Sequence, residues 1–322
     1  MEYKNLSEIQ DVLSNIKKEI HKGIIGQDNL IDGLLIALIA DGHLLIEGVP
    51  GLAKTRAVNL LSKICKVSFK RLQFTPDLLP ADIVGTKIYN QSTAKFETSK
   101  GPIFANFVLA DEINRAPAKV QSALLETMQE RQVTIGEETF PVPRPFFVFA
   151  TQNPVEQEGT YPLPEAQLDR FLMKLIIDYP SKEEEINVVK MIMNEVKLPE
   201  IDPIVNATNI SEIQNFARKV YIDEKLIRYI TDIVFATRFP ENSGIDKNII
   251  QYGASPRASI NLTISARAKA LIEGRENVTP EDIKAIAHNV LRHRIILTYH
   301  ADADGITTDQ IITEILKKIK VP

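Results

Sequence analysis

Cysteine is nearly absent from this sequence: Cys65 stands alone, so no disulfide can form within the chain, and the composition fits a reducing compartment. An excess of one charge is missing too. Lys and Arg total 38 against 42 Asp and Glu, and the net charge of −4 offers no bulk attraction to nucleic acid or anionic lipid. Long apolar runs are also lacking. The most apolar region, Leu30 to Leu45, is interrupted by Asp32, Asp41 and His43, which is wrong for a bilayer span. The start, Met1-Glu2-Tyr3-Lys4-Asn5, is polar where a secretory signal would be apolar, so we expect a cytoplasmic protein with no membrane insertion. The five histidines are scattered and give no metal-ligand spacing. Arg292-His293-Arg294 reads as the exposed face of a helix end, and no internal repeat is present.

What remains is an ordinary globular composition, 44% hydrophobic and 25% charged, over 322 residues, which suggests two domains. Leu6, Ile9, Val12, Leu13, Ile16 and Ile20 recur at helical spacing. After the break Gly23-Ile24-Ile25-Gly26-Gln27, a nearly all-apolar helix, Asn29 to Ala40, leads into a short buried strand, His43 to Glu47. Further strands are readable at Val67 to Phe74, Phe107 to Ala110 and Phe146 to Ala150, alternating with helical stretches, which predicts a parallel sheet covered on both faces. Two hairpin signals, Lys87 to Phe96 and Gln132 to Val142, read as insertions on that core. Beyond Ile176-Ile177-Asp178-Tyr179-Pro180 the strands stop. Helices at Lys182 to Val196, Asp223 to Phe239, Pro256 to Glu273, Pro280 to Arg294 and Thr308 to Ile319 predict an all-helical second domain over 182–322, after a first domain over 1–181.

The chemistry lies in the first domain. Gly48-Val49-Pro50-Gly51-Leu52-Ala53-Lys54-Thr55 follows a strand and opens a helix that begins near Arg56, the arrangement that cradles nucleotide phosphates. Backbone N–H groups and the helix dipole would face the phosphates, Lys54 would reach the terminal ones, and the Thr55 hydroxyl would ligate Mg2+. The motif calls for glycine where this chain has Ala53, and a left-handed alanine there would cost on the order of 1 to 2 kcal/mol. Read alone, a Pro-Gly turn before a helix with an exposed lysine gives the same letters. A second apolar run ends in Asp111-Glu112, where Asp111 would orient Mg2+ and Glu112 would polarise the attacking water. A third ends in Thr151-Gln152-Asn153-Pro154, and the amide of Asn153 would hold the lytic water or the γ-phosphate, although an Asn-Pro turn is the plain alternative.

In this order the motifs resemble Walker A, Walker B and sensor 1 of an AAA+ module. The alanine-containing Walker A, Asp111-Glu112-Ile113-Asn114-Arg115-Ala116-Pro117, Ala150-Thr151-Gln152-Asn153-Pro154 and Leu163-Pro164-Glu165-Ala166-Gln167-Leu168-Asp169-Arg170-Phe171 are similar to the MoxR family, over about Ile24 to Arg267. The resemblance implies an α/β fold, a three-layer P-loop AAA+ core with a parallel sheet plus a C-terminal all-helical lid domain. The hairpins become the helix-2 and pre-sensor-1 inserts. Ile24 and Ile25 would contact adenine, Arg170 would be the arginine finger reaching a neighbouring subunit, and Arg257, in Gly253-Ala254-Ser255-Pro256-Arg257, would be sensor 2 over the γ-phosphate. Arg115 and Arg144 flank the motifs and read equally as intersubunit contacts or as solvated charges. The implied function is ATP hydrolysis driving chaperone-like remodelling or maturation of a client complex, by a homo-oligomeric ring, expected to be a hexamer, with a von Willebrand factor A domain partner. Two other classes remain: a nucleic-acid motor, opposed by the net charge, and a non-hydrolysing nucleotide switch, opposed by the Asp111-Glu112 pair.

Overall fold

The computed structural model describes residues 3, 5–155, 159–193 and 201–322. The chain opens with α1 (Leu6–His21) and α2 (Asp28–Ile39), then enters β1 (Leu44–Glu47), α3 (Lys54–Ile64), β2 (Phe69–Gln73) and the short α4 (Pro80–Val84). The hairpin β3 (Gly85–Asn90) and β4 (Lys95–Lys100) precedes β5 (Phe107–Asp111) and α5 (Ala118–Glu130). A second hairpin, β6 (Gln132–Ile135) and β7 (Glu138–Pro141), precedes β8 (Phe147–Gln152), α6 (Glu165–Leu168) and β9 (Met173–Ile176). After β9 come α7 (Lys182–Met193), α8 (Ala207–Lys219), α9 (Glu224–Arg238), β10 (Ile250–Tyr252), α10 (Pro256–Ile272), α11 (Pro280–Leu291), β11 (Ile296–Leu297), α12 (Tyr299–Ala303) and α13 (Thr308–Lys318). The expected helix Lys182 to Val196 is α7, and its last three positions lie outside the described residues.

Five strands pair in parallel in the order β2-β5-β8-β1-β9. Parallel strands covered on both faces read as continuous apolar runs, and β8 accordingly buries every residue from Phe147 to Thr151. Because successive side chains point to opposite faces, each strand feeds two cores. Leu44, Ile46, Phe107, Leu109, Phe147 and Phe149 pack with α1, α2, α3 and the lid helices. Leu45, Val108, Ala110, Val148 and Ala150 pack with α4, α5 and the base of the second hairpin. Phe107 meets Phe147 and Phe149 edge-on at centroid distances of 5.4 and 5.5 Å, fixing the register across β5 and β8.

The strand β9 was not among the expected ones, because four residues carry too little periodicity to separate them from the loop that follows. Among the described residues after position 180 the regular structure is helical apart from a short antiparallel pairing, Ile250 with Leu297 and Tyr252 with Ile296, and an isolated bridge between Tyr221 and Asn277, so strands do not stop entirely there. The exposed helix end expected at Arg292-His293-Arg294 is also corrected: His293 and Arg294 are each only 6% exposed. Polar acceptors explain their burial. Arg294 donates through Nε to Asp169 at 2.8 Å and through its terminal nitrogens to the carbonyls of Asp169, Phe171 and Leu172. Arg292 forks onto Asp309 at 3.0 and 2.9 Å and reaches the Lys174 carbonyl at 3.0 Å. Burial brings the Arg294 guanidinium down to about 10, with Asp169 opposing, so it stays charged as a rivet between lid and core.

Candidate active site

Three loops at the C-terminal ends of β1, β5 and β8 meet at one cavity of about 380 Å3. The loop after β1 contributes Pro50, Gly51, Leu52 and Ala53, and α3 contributes Lys54, Thr55 and Arg56. Gly51 (φ +88°) and Ala53 (φ +56°, ψ +16°) both adopt backbone conformations with positive φ. At Ala53 this is the conformation for which the sequence departs from glycine, and the side chain costs about 1 to 2 kcal/mol there. A left-handed residue directly before a helix curls successive N–H groups into a concave nest, and the first turn of α3 adds donors that no helix carbonyl satisfies. Gly48 is needed for a different reason: a Cβ there would lie 2.8 Å from the Ile177 carbonyl oxygen.

The cations of this loop are placed for a polyanion. Lys54 Nζ donates to the Gly48 carbonyl at 2.6 Å, which folds the ammonium back over the loop. Burial lowers the Lys54 pKa, while Asp111, Glu112 and Glu47 pull it the other way. Arg56 lines the same cavity with Nε and one terminal nitrogen buried and without a hydrogen-bond partner. Buried unpaired guanidinium donors are costly, and phosphate oxygens at this wall would satisfy them.

Opposite the loop, the acids are held in fixed positions. Thr151 Oγ1 donates to Asp111 Oδ1 at 2.6 Å and accepts the Glu112 N–H at 2.8 Å. Arg71 on β2 forks onto Asp111 Oδ2 at 3.0 and 2.6 Å. Glu112 is left-handed (φ +56°), and its carboxylate accepts from Gln73 at 2.8 Å and Arg115 at 3.1 Å. Asn153, 6% exposed, lines the cavity and caps its own loop by accepting the Val155 N–H at 3.2 Å. Thr55 and Asp111 line the same cavity, Thr55 from the first turn of α3 and Asp111 from the opposite wall, and no cluster of three or more His, Cys, Asp or Glu suited to a metal exists among the described residues. One carboxylate and one hydroxyl suit Mg2+, which takes few protein ligands and completes its shell with water and phosphate oxygens.

The remaining candidates fall outside this cavity. Ile25 lines an adjoining cavity of about 290 Å3 with Gln27, Tyr179, Pro180 and Val188, a mostly apolar slot that shares the Pro50 to Ala53 wall. Ile24 points into the core at 2% exposure, and Val49 packs against that core. Arg170 donates to the Leu125 carbonyl at 3.1 Å, and its Nε is buried without a partner. Arg257 is not among the cavity's lining residues; it pairs with Asp169 at 3.4 Å because Ser255, the N-cap of α10, is tied to the same carboxylate at 2.9 Å. Sequence reasoning gave no role to Arg71, Gln73 or Thr151. Thr151 lay within a recognised motif; the two β2 residues lay in an expected strand, and their link to the acids required knowledge that β2 and β5 are neighbours.

Comparison with known proteins identifies the family. Residues 43–173 match the model of the ATPase family associated with various cellular activities (AAA), and residues 243–315 match an AAA lid domain. "Chaperone MoxR1" of Mycobacterium tuberculosis is 49% identical over 306 residues, covering 94% of this chain and 81% of that protein. "Protein MoxR" of Methylorubrum extorquens is 30% identical over 91% of this chain and 90% of its own length. A crystal structure from Cytophaga hutchinsonii, provisionally described as an ATPase, superposes with a TM-score of 0.93 at 52% identity, covering 98% and 97% of the two chains. With a P-loop core, a helical lid and these relatives, the chain belongs to the MoxR family of AAA+ ATPases.

Proposed function

We propose that this chain binds ATP with its phosphates in the cavity beneath the β1 loop and its adenine in the slot lined by Ile25, and hydrolyses it. One observation carries this reading: loop, Lys54 and unpaired Arg56 form one wall of a single cavity whose opposite wall holds Asp111, Glu112 and Asn153. The N–H nest and Lys54 bind the β- and γ-phosphates. Thr55 and Asp111 would hold Mg2+, which when bound supplies charge neutralisation at the phosphate oxygens. Glu112 accepts a proton from water as its oxygen attacks the γ-phosphorus, the bond to the β-phosphate oxygen breaks, and ADP and phosphate leave. Asn153 orients the water or the γ-phosphate.

The finer reading follows the family. Subunits form a ring, expected to be a hexamer, in which Arg170 completes the site of a neighbour, and lid segment 182–322 responds to the nucleotide. The chaperone name of the mycobacterial relative supports a role in maturing or remodelling a client protein, with a von Willebrand factor A domain protein as partner in the cytoplasm. No helix among the described residues is long and apolar enough to cross a membrane. The test is phosphate release and ATP binding by wild type and Lys54→Ala. Wild type should turn over, and the variant should lose tight ATP binding because the buried phosphate charge lacks its principal cation. Unchanged ATP affinity in Lys54→Ala would move the site elsewhere.

A further inference from the structure

A second cleft lies at the opposite end of the strands. Asp41 lies three residues before β1 and Arg144 three before β8, so this cleft sits at the N-terminal ends of the strands whose C-terminal ends hold the P-loop and Asn153. The strands between are four to six residues long, which separates the two sites by roughly 15 Å or more. Its volume is about 350 Å3. Three arginines converge there: Arg131 from the end of α5, Arg144 from the loop after β7, and Arg218 from α8, with Ser211 and Asn215 beside Arg218 on the helix.

The charges in this cleft do not balance. Among the described residues Asp41 is the only acid that lines it, and it is already engaged by Arg131 at 3.5 Å. Arg131 is largely buried; its terminal nitrogens also donate to the Asp41 carbonyl and, more closely, to the Phe146 carbonyl. Burial is the main cause lowering its pKa, Asp41 opposes that, and Arg144 adds like-charge repulsion. Arg144 is exposed and makes no hydrogen bond or ion pair among the described residues. Among the described residues Arg218 makes one hydrogen bond, to Asn215 Oδ1 at 3.2 Å one turn earlier in its own helix. Two guanidinium forks therefore face one small cleft with no acid to bind, above a third that is desolvated. Like charges gathered in this way repel unless an anion is shared between them.

We propose that this cleft is a binding site for a small phosphate-bearing molecule, a ligand with a phosphate or pyrophosphate group that Arg144 and Arg218 grip from two sides. Guanidinium forks match phosphate oxygens in a bidentate way, the Asn215 side-chain N–H adds a neutral donor, and the Ser211 hydroxyl, which donates to the Ala207 carbonyl at 3.2 Å, would add another by turning away from it. The volume suits a free metabolite rather than a folded partner. The site is independent of the ATPase reading, since it shares no lining residue with the P-loop cavity.

The experiment is calorimetric titration of inorganic pyrophosphate into the full chain with its P-loop already filled by a non-hydrolysable ATP analogue, repeated on Lys54→Ala. One binding event per chain should remain in both cases and should weaken as chloride is raised. Arg144→Ala and Arg218→Ala should each weaken it by about tenfold or more, because each removes a charge-assisted fork. Both side chains are exposed, so both variants should melt as wild type does and keep wild-type binding of the ATP analogue. Citrate, of similar charge but with planar carboxylates, should bind at least about tenfold more weakly than pyrophosphate. Absence of heat once the P-loop is filled would overturn the proposal, as would binding that neither arginine variant changes. Citrate binding as tightly as pyrophosphate would overturn the phosphate assignment.

Discussion

Thr151→Val isolates the group that holds Asp111 and Glu112 together. The hydroxyl is 1% exposed and makes two bonds, donating to Asp111 Oδ1 at 2.6 Å and accepting the Glu112 N–H at 2.8 Å. Loss of a hydrogen bond to a carboxylate costs about 1.5 to 3 kcal/mol, and an orphaned buried N–H costs about 1 to 3 kcal/mol. The added methyl returns about 0.8 kcal/mol of apolar burial. The net expectation is roughly 2 to 5 kcal/mol of lost stability, measured as a shift of the urea midpoint at constant slope. Catalysis should suffer separately. Glu112 sits in a left-handed backbone conformation pinned by this bond, and a displacement of about 1 Å costs on the order of 10²-fold in rate. Phosphate release should therefore fall by about one to two orders of magnitude, with ATP affinity within a few-fold of wild type, because Thr151 donates to an acid rather than to phosphate. Thr151→Ser keeps the hydroxyl and should restore most of both quantities. Wild-type stability and turnover in Thr151→Val would refute the claim that this hydroxyl organises the acids.

Two further outcomes test other parts of the account. His43 accepts the Val148 N–H at Nδ1, so its proton lies on Nε2 facing the Met128 carbonyl, and burial first, then Arg131, lowers its pKa to about 3. Since the unfolded chain titrates near 6.5 it binds more protons than the folded one below that value, and stability should fall by roughly 2 kcal/mol from pH 7 to pH 5 on this account alone; a His43→Gln variant with the same pH slope in urea unfolding would contradict it. Arg170→Ala should bind ATP but scarcely hydrolyse it, and mixing it with Lys54→Ala under subunit exchange should restore partial phosphate release, because each variant supplies what the other lacks. A flat baseline across the mixtures, with exchange confirmed, would return Arg170 to the structural role suggested by its bond to Leu125.

The parts of the site that were legible in the sequence are the contiguous ones. A phosphate loop is built from neighbours along the chain, so Gly48 to Thr55 shows itself as letters, and even the left-handed Ala53 follows from the position of the missing glycine. Arg71 and Gln73 lie about 40 positions from the acids they bond, and only the strand order brings them together. Ile24 and Ile25 look alike in sequence, yet one faces the core and the other the slot, because adjacent side chains diverge. The Arg292 to Arg294 segment misled for a related reason. Charge suggests solvent, but Asp169 and the carbonyls at the start of β9 provide partners that no local pattern announces.

The central claim is that Glu112 activates water for an ATP molecule bound under the β1 loop. The most direct test compares wild type and Glu112→Gln for equilibrium ATP binding and for phosphate release at saturating ATP and Mg2+. The account predicts ATP affinity close to wild type in the variant, since Glu112 does not hold the phosphates, with release slowed by about two or more orders of magnitude through loss of the general base. Binding and turnover lost in parallel, or release unchanged, would contradict it.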